Sequence, residues 1–421
     1  MTSPLRSSRR NFLKLSAAAS TTFAAPLILP RSVFGANERV SVAFIGVGNQ
    51  GNNNVKDFLK QEIAVTAVCE VDSTRAGAAV DNLKKQGHEA VPFGDYRKLL
   101  ERKDVDAVVI TVPDQWHARM TIDACAAGKD VYCEKPLSLT IRDGRRMVDA
   151  ARKYGRVVQT GSQQRSAKEF RQACELVRSG AIGKLQTVLA GIPRPNHPGA
   201  LGPDSDPPAT LDYEMWLGPA PYRRYNEKRV HYHFRFWWDY SGGQMTNFGA
   251  HHLDIAQWAL DMDNSGPIAT DGTATFHPEK LHEVTETFRI THTYANGVKV
   301  IAGQQQKDIP TGCTFIGDKG KIYVTRGELV AEPEILNSEV TVKLYDSSNH
   351  HRNWLDCIKS REKPICDVEI GHRSATVCHL GSIVCRLGRG IQWDPRTEQV
   401  IGDTEAQAMT DRPYRKPWTQ A

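Results

Sequence analysis

The 421 residues contain no C-x-x-C pair, no low-complexity tract and no internal repeat. These absences remove thioredoxin-like motifs, disordered repeats and solenoid architectures from consideration. A disulfide framework is lacking too. The nine cysteines are an odd number, and Cys69, Cys125, Cys133 and Cys174 sit in apolar strand or helix contexts, as small core residues do. Charge imbalance is small, with 54 basic against 48 acidic residues. Five of the basic ones (Arg6, Arg9, Arg10, Lys14 and Arg31) fall in residues 1–35, which hold no acid, so the rest stands at 49 against 48. Nothing in that balance calls for nucleic acid or an anionic membrane surface. Long hydrophobic runs are missing as well. Leu15 to Leu29 is Ala-rich, interrupted by Pro26, and too short for a comfortable transmembrane helix.

What is present begins with Ser8-Arg9-Arg10-Asn11-Phe12-Leu13-Lys14. A twin arginine, an apolar stretch and a small residue at Gly35 or Ala36 read as an export signal over residues 1–35. The mature protein is expected in the periplasm or otherwise exported, with no membrane insertion once the signal is removed. The remaining residues, about 385, suffice for two domains with their own cores. They divide into residues 36–160, residues 161–393 and a charged tail, 394–421.

From Arg39 to Thr160 strand and helix alternate, which implies a parallel sheet with helices on both faces. Val40 to Ile45, Ile63 to Val68, Val105 to Thr111, Val131 to Cys133 and Val157 to Thr160 are the expected strands. Thr74–Gln86, Gln115–Ala127 and Thr140–Tyr154 are the expected helices. Gly46-x-Gly48-x-x-Gly51 lies between the first strand and a helical segment. In that context Gly46 permits the tight turn, Gly48 lets the backbone approach a pyrophosphate, and Gly51 allows close packing. The helix N-terminus then offers free N–H groups to the phosphates. Glu70, at the end of the second strand, is placed to accept from ribose hydroxyls and to repel a 2′-phosphate. NAD is therefore favoured over NADP, with Asp72 the alternative ribose ligand.

Thr111-Val112-Pro113-Asp114-Gln115-Trp116-His117 and Cys133-Glu134-Lys135-Pro136 follow two later strands, at the edge where such sheets bind ligands. Together with Gly161-Ser162-Gln163-Gln164-Arg165 and the run from Gly242-Gly243 through Asn247 to His251-His252-Leu253-Asp254, they resemble the glucose–fructose oxidoreductase / inositol dehydrogenase (Gfo/Idh/MocA) family. The resemblance covers nearly all of the chain after the export segment. It implies an N-terminal Rossmann dinucleotide-binding domain followed by an α+β domain with a large open, mostly antiparallel sheet that forms the subunit contact, in a homodimer or homotetramer. Pro113, His117, Glu134 and Lys135 fall on its cofactor elements. It gives Lys135 the reacting hydroxyl and the nicotinamide ribose, and His251 the acid/base role. The family commonly has an aspartate where this chain has Asn247, which can orient an imidazole but cannot stabilise its cation as a carboxylate does. Proton transfer then either leans on Lys135, or draws charge from Asp254 or Asp239.

The second domain opens with a helix, Lys168 to Ser179, and a strand, Leu185 to Ile192. Pro193 to Pro221 is rich in Pro, Gly and Asp and reads as a long loop. His231 to Asp239 is dense in aromatics and hydrogen-bond donors, which suits a sugar, although Phe236, Trp237 and Trp238 are equally good core residues. Arg165, Trp238, Asp239 and His252 are the expected substrate contacts. No metal is expected, because His231, His233, His251 and His252 lack supporting cysteine or acid spacing. Asn296-Gly297 and Gly317-Asp318-Lys319-Gly320 mark hairpin turns. The expected activity is NAD-dependent oxidation of a secondary hydroxyl of a small-molecule sugar or polyol, with the cofactor kept bound. Two alternatives stand beside it: a redox-neutral NAD-dependent glycoside hydrolase of the same fold, and a nucleotide-loaded sugar-binding protein without turnover. Lys135 favours the dehydrogenase, because the N-acetylgalactosaminidase branch tends to lack it.

Overall fold

Six short strands, most of them apolar on both sides, build the first sheet: β1 (Ser41–Ile45), β2 (Ala64–Cys69), β3 (Val91–Phe93), β4 (Ala107–Ile110), β5 (Asp130–Cys133) and β6 (Val158–Thr160). The computed structural model describes residues 39–419 apart from 195, 196 and 198, so the export segment lies outside the described residues. All pairings in this sheet are parallel, in the order β3-β2-β1-β4-β5-β6. Successive β1 residues serve different cores. Ala43 and Ile45 pack on one face, Val42 and Phe44 on the other. Burial on both faces explains why these strands read as continuous apolar runs. The strand order reverses between β1 and β4, which opens a crevice at their C-terminal ends.

The chain returns to this layer late. Helix His350–Ser360 sends Trp354, Leu355, Cys357 and Ile358 into the core built on Val42 and Phe44. The Trp354 ring meets Phe58 edge-on at 5.5 Å. Helix Val368–Leu387 adds Val368 and Ala375 to the opposite core. The first core therefore draws on residues well beyond 160.

The second sheet contains β7 (Leu185–Ile192), β8 (Ala269–Phe276), β9 (Thr285–Thr293), β10 (Lys299–Gln304), β11 (Gly312–Gly317), β12 (Lys321–Thr325), β13 (Glu328–Glu332), β14 (Ile391–Asp394) and β15 (Gln399–Ile401). Their order is β13-β12-β11-β7-β10-β9-β8-β14-β15. Only β7 and β10 pair in parallel. Gly297, at φ +85°, turns β9 into β10, and the Gly317 N–H donates to the Gly320 carbonyl at 2.9 Å in the next hairpin. One core joins this sheet to helices Lys168–Arg178, Gly249–Ala259 and Val368–Leu387.

Several elements depart from the sequence reading. β3 carries Pro92, and β15 is a three-residue edge strand, so neither shows a clear pattern. The Pro/Gly-rich loop contains helix Tyr213–Leu217. The tail after Asp394 packs back, with Trp418 edge-on to Trp116 at 4.7 Å. All nine cysteines are buried and unpaired, as expected of core residues. No described helix is long and apolar enough to cross a membrane.

Candidate active site

The crevice holds a cavity of about 440 Å³ lined by both halves of the chain. Its floor is the glycine turn. Gly46 sits at φ +85°, and a Cβ there would lie 2.2 Å from the Thr111 carbonyl oxygen. A Cβ on Gly51 would meet the Gly46 carbonyl at the same distance, so backbone crowds both positions. Gly48 caps helix Asn49–Leu59 without a side-chain hydrogen bond, which leaves that helix's first N–H groups facing the groove. A bare, glycine-lined helix start fits a dinucleotide pyrophosphate.

Glu70 lines the groove, but both its oxygens are engaged. Oε2 accepts from Val47 N–H at 3.0 Å and Oε1 from Asp72 N–H at 3.1 Å. Burial raises its pKa, and the N–H groups of Val47 and Asp72 oppose that. Glu70 thus braces the turn as well as facing a ribose position. Asp72 caps helix Ser73–Lys85. Arg75, from the same helix, reaches the groove close to Gly48.

Glu134 joins the layers. Its Oε1 accepts from Asn54 Nδ2 at 3.0 Å and Gln163 Nε2 at 3.3 Å, and its Oε2 from Lys135 N–H at 3.2 Å. The Lys135 ammonium donates to Asn247 Oδ1 at 3.0 Å and to the Asn247 carbonyl at 3.1 Å. Burial lowers its pKa. Glu134 and Asp114 oppose that shift, while Arg235 and Arg326 add to it. Asn247 Nδ2 donates to Gln244 Oε1 at 2.9 Å, and Gln244 Nε2 donates in turn to the Pro193 and Arg194 carbonyls. Asn247 is therefore the partner of Lys135 and not of His251.

His251 lines the groove with its Nδ1 buried and unpartnered. Burial, reinforced by the Lys135 and Arg326 charges, holds its pKa well below the usual imidazole value, so the ring is neutral. Neither acid considered for it is available. Asp254 is bound by Arg165 Nε at 2.9 Å and Ser374 Oγ at 2.6 Å, and Asp239 by Arg223 Nε at 2.6 Å.

Five expected contacts stand elsewhere. Both ring nitrogens of His117 face carbonyls, those of Pro136 and Val112, at 2.8 and 2.9 Å, and burial pushes its pKa down to about 4. It ties the Pro113 and Pro136 loops together behind the groove; Pro113 itself is in the lining. Arg165 is fully buried between Asp254 and Asp263, over the Trp258 ring. His252 Nδ1 turns to the Gly191 carbonyl at 2.7 Å, behind the sheet edge. Trp238 and Asp239 line a second cavity of about 350 Å³ with Arg386 and Arg412. The 3₁₀ turn His231–Phe236 causes this, because it presents Tyr232, Phe234 and Arg235 to the groove and carries the following residues past it. Phe236 and Trp237 are core.

Three groove residues had escaped the sequence reading. Asp114, the first residue of helix Asp114–Ala126, accepts from Ser241 Oγ at 2.6 Å. Burial pushes its pKa up to about 7, against the pull of Ser241, Lys135 and Arg235. The acid after Pro113 was its only trace in the sequence. Arg235 stacks 3.9 Å from the Tyr232 ring with its buried Nε unpartnered. Arg326 lies over Phe248 and donates to Gln164 Oε1 at 3.3 Å. The four histidines considered for a metal do not converge: His231 stands 3.8 Å from Asp72, while His252 is at Gly191.

The groove can therefore seat a dinucleotide on one side and, on the other, place an ammonium, a neutral imidazole and a carboxyl titrating near neutrality around a hydroxyl. Comparison with known proteins also divides the chain in two. Residues 40–162 match the oxidoreductase family's NAD-binding Rossmann fold, and residues 201–420 its C-terminal alpha/beta domain. Inositol 2-dehydrogenase of Salmonella typhimurium is 35% identical over 148 residues, 34% of this chain and 43% of that protein. A glycosyl hydrolase family 109 protein of Shewanella baltica is 31% identical over 201 residues, 42% of this chain and 44% of the relative. The chain thus matches less than half the length of either. The aldose-aldose oxidoreductase of Caulobacter crescentus, complexed with glycerol, shares the fold at a TM-score of 0.64 and 18% identity, covering 84% of this chain and all of that one. With the two family domains spanning most of its length, the chain belongs to the Gfo/Idh/MocA oxidoreductase family.

Proposed function

We propose that this protein is an exported, NAD-dependent oxidoreductase that acts on a secondary hydroxyl of a sugar or polyol and keeps its cofactor through turnover. The observation that carries this reading is the Lys135 ammonium. It lines the same groove as the glycine turn, fixed by Asn247 and flanked by Asp114 and His251. Bound NAD supplies the hydride acceptor. Lys135 hydrogen-bonds the substrate oxygen and stabilises the charge that grows on it as the C–H bond breaks. The hydroxyl proton passes to Asp114 or to the neutral His251, both of which can accept at neutral pH. Trp216, Tyr232, Phe234 and Phe248 supply the apolar faces that a sugar ring needs.

Export directed by residues 1–35 would favour cofactor retention, since free nucleotide is scarce outside the cytoplasm. A retained cofactor must be regenerated in place, by a second sugar or by an external electron acceptor. NAD is favoured over NADP by Glu70, with Arg75 the residue that a 2′-phosphate would engage. Assembly as a homodimer or homotetramer through the nine-stranded sheet accompanies this reading. The ultraviolet spectrum of the purified protein, before and after a panel of sugars and polyols, tests it. A rise in reduced-nicotinamide absorbance with no added cofactor is expected. A protein that releases no nucleotide on denaturation and shows no change with any sugar would refute it.

The likeness to the Shewanella protein favours a second reading, NAD-dependent glycoside hydrolysis with no net redox change. An aryl glycoside that is cleaved while the nicotinamide spectrum returns to its starting state selects that reading over the first.

A further inference from the structure

We propose that His197, His282 and Glu286 form a divalent transition-metal site, fitted to zinc, outside the groove. Glu286 lies at the start of β9, His282 in the loop before it, and His197 in the segment that follows β7. One ligand atom from each lies within 4.8 Å of the others. Glu286 Oε1 is 2.8 Å from His282 Nε2 and 3.6 Å from His197 Nε2. Zinc binds imidazole nitrogen and carboxylate oxygen at about 2.0–2.2 Å in a tetrahedron whose edges are then about 3.3 Å. The two observed separations bracket that edge. The rings of His197 and His282 have centroids 5.0 Å apart, and two imidazoles on one tetrahedral zinc have centroids about 5 Å apart by the same bond lengths.

Hydrogen bonding alone serves this cluster poorly. No lysine or arginine pairs with Glu286 among the described residues. Both rings turn Nε2 to the one carboxylate oxygen, and Nδ1 of each is buried with no partner, so no other group competes for either ring. A divalent cation balances the carboxylate and uses imidazole lone pairs. His277 stands 5.8 Å from both rings, but its Nδ1 accepts from Glu279 N–H at 3.2 Å, which keeps the proton on Nε2. It is a wall of the site and not a ligand, so the fourth position is left to water. Two imidazoles and one carboxylate select zinc over magnesium or calcium.

The site is near the groove's own relay in sequence. Three residues before His197, the Arg194 carbonyl is held by Gln244 Nε2 at 3.2 Å, and Gln244 orients Asn247, which orients Lys135. The existence of the site does not depend on the sugar oxidoreductase reading.

The full chain, purified without a polyhistidine tag and dialysed after zinc loading, is assayed by plasma mass spectrometry. About one zinc per chain is expected. Glu286→Gln and His282→Gln should each lower that content by about tenfold or more. Added zinc chloride should raise the melting temperature of the wild type and not of the variants. Should His282→Gln fail to fold, Glu286→Gln, at a position with a 17% exposed side chain, carries the test. Stoichiometric iron or nickel that is lost in the variants upholds the site and reassigns its metal. A wild type without stoichiometric metal and without a zinc-dependent melting shift overturns the proposal, as does undiminished zinc in Glu286→Gln.

Discussion

Asp114 and His251 make opposite demands on the pH dependence of the reaction. The Asp114 carboxyl titrates at about 7 and must be ionised to accept a proton. If it is the base, kcat/KM rises with pH through about 7. The His251 ring is already neutral far below that, so as base it would put the acidic limb well under the usual imidazole value. We expect the limb near 7, and we expect Asp114→Asn to remove it with a loss of about 10²–10⁴ in rate. A limb that persists in Asp114→Asn returns the role to His251. Lys135 governs the alkaline side. Its charged form is disfavoured by burial, so activity falls as pH rises through a pKa below that of ordinary lysine. Asn247→Asp places a carboxylate against the ammonium, favours the charged form and should move the alkaline limb to higher pH. An alkaline limb unmoved in that variant would detach Lys135 from the titration. Lys135→Ala should cost about 10²–10⁴ in rate and leave the nucleotide bound, because the pyrophosphate cradle lies at Gly46–Gly51.

Among single residues, those legible in the sequence were the ones a local pattern marks. Gly46, Gly48 and Gly51 stand at a strand–helix junction, where backbone crowds the first and the last so that only glycine fits, and Lys135 stands in a short run shared with a family. Asp114 looked like any acid at a helix start. Its burial comes from Ser241, 127 positions away, which no spacing reveals. Trp238 and Asp239 were placed in the site because their neighbours belong there. The 3₁₀ turn sends Arg235 one way and Trp238 another, and that divergence is a matter of backbone and not of composition.

The long strongly patterned elements were the readable ones, and β7 and the β9–β10 hairpin lie where the apolar runs and Asn296-Gly297 place them. Elements sustained by distant partners were not. The place of helix His350–Ser360 on the first sheet rests on Trp354 meeting Phe58 and Tyr132. Trp354→Ala should therefore cost about 3–5 kcal/mol and destabilise the nucleotide-binding layer, seen as a lower urea midpoint that bound NAD only partly restores. A cost under about 1 kcal/mol would mean that the helix is peripheral, since surface changes stay in that range. The Arg165–Asp254–Asp263 cluster makes a similar bond between Gln163–Ser166 and helix Gly249–Ala259. Arg165→Met should cost about 3–5 kcal/mol, because it strands two carboxylates of which Asp254 is fully buried. The loss should appear in the melting temperature of the apo protein, and an unchanged melting temperature would contradict it.

At the scale of the whole molecule the testable claim is the route of export. Replacing Arg9 and Arg10 together by lysine should leave the protein in the cytoplasm with its first 35 residues uncut. Normal export of that double variant would defeat the twin-arginine reading.

The return of late segments to the first sheet also sets an order of events. Translation makes the glycine turn early, yet the core beneath it is completed by Trp354, and the Trp116 wall of the groove by Trp418. The nucleotide layer thus lacks part of its core and of its wall until those late segments have joined it. A dinucleotide held in the groove would therefore report on segments near both ends of the described chain.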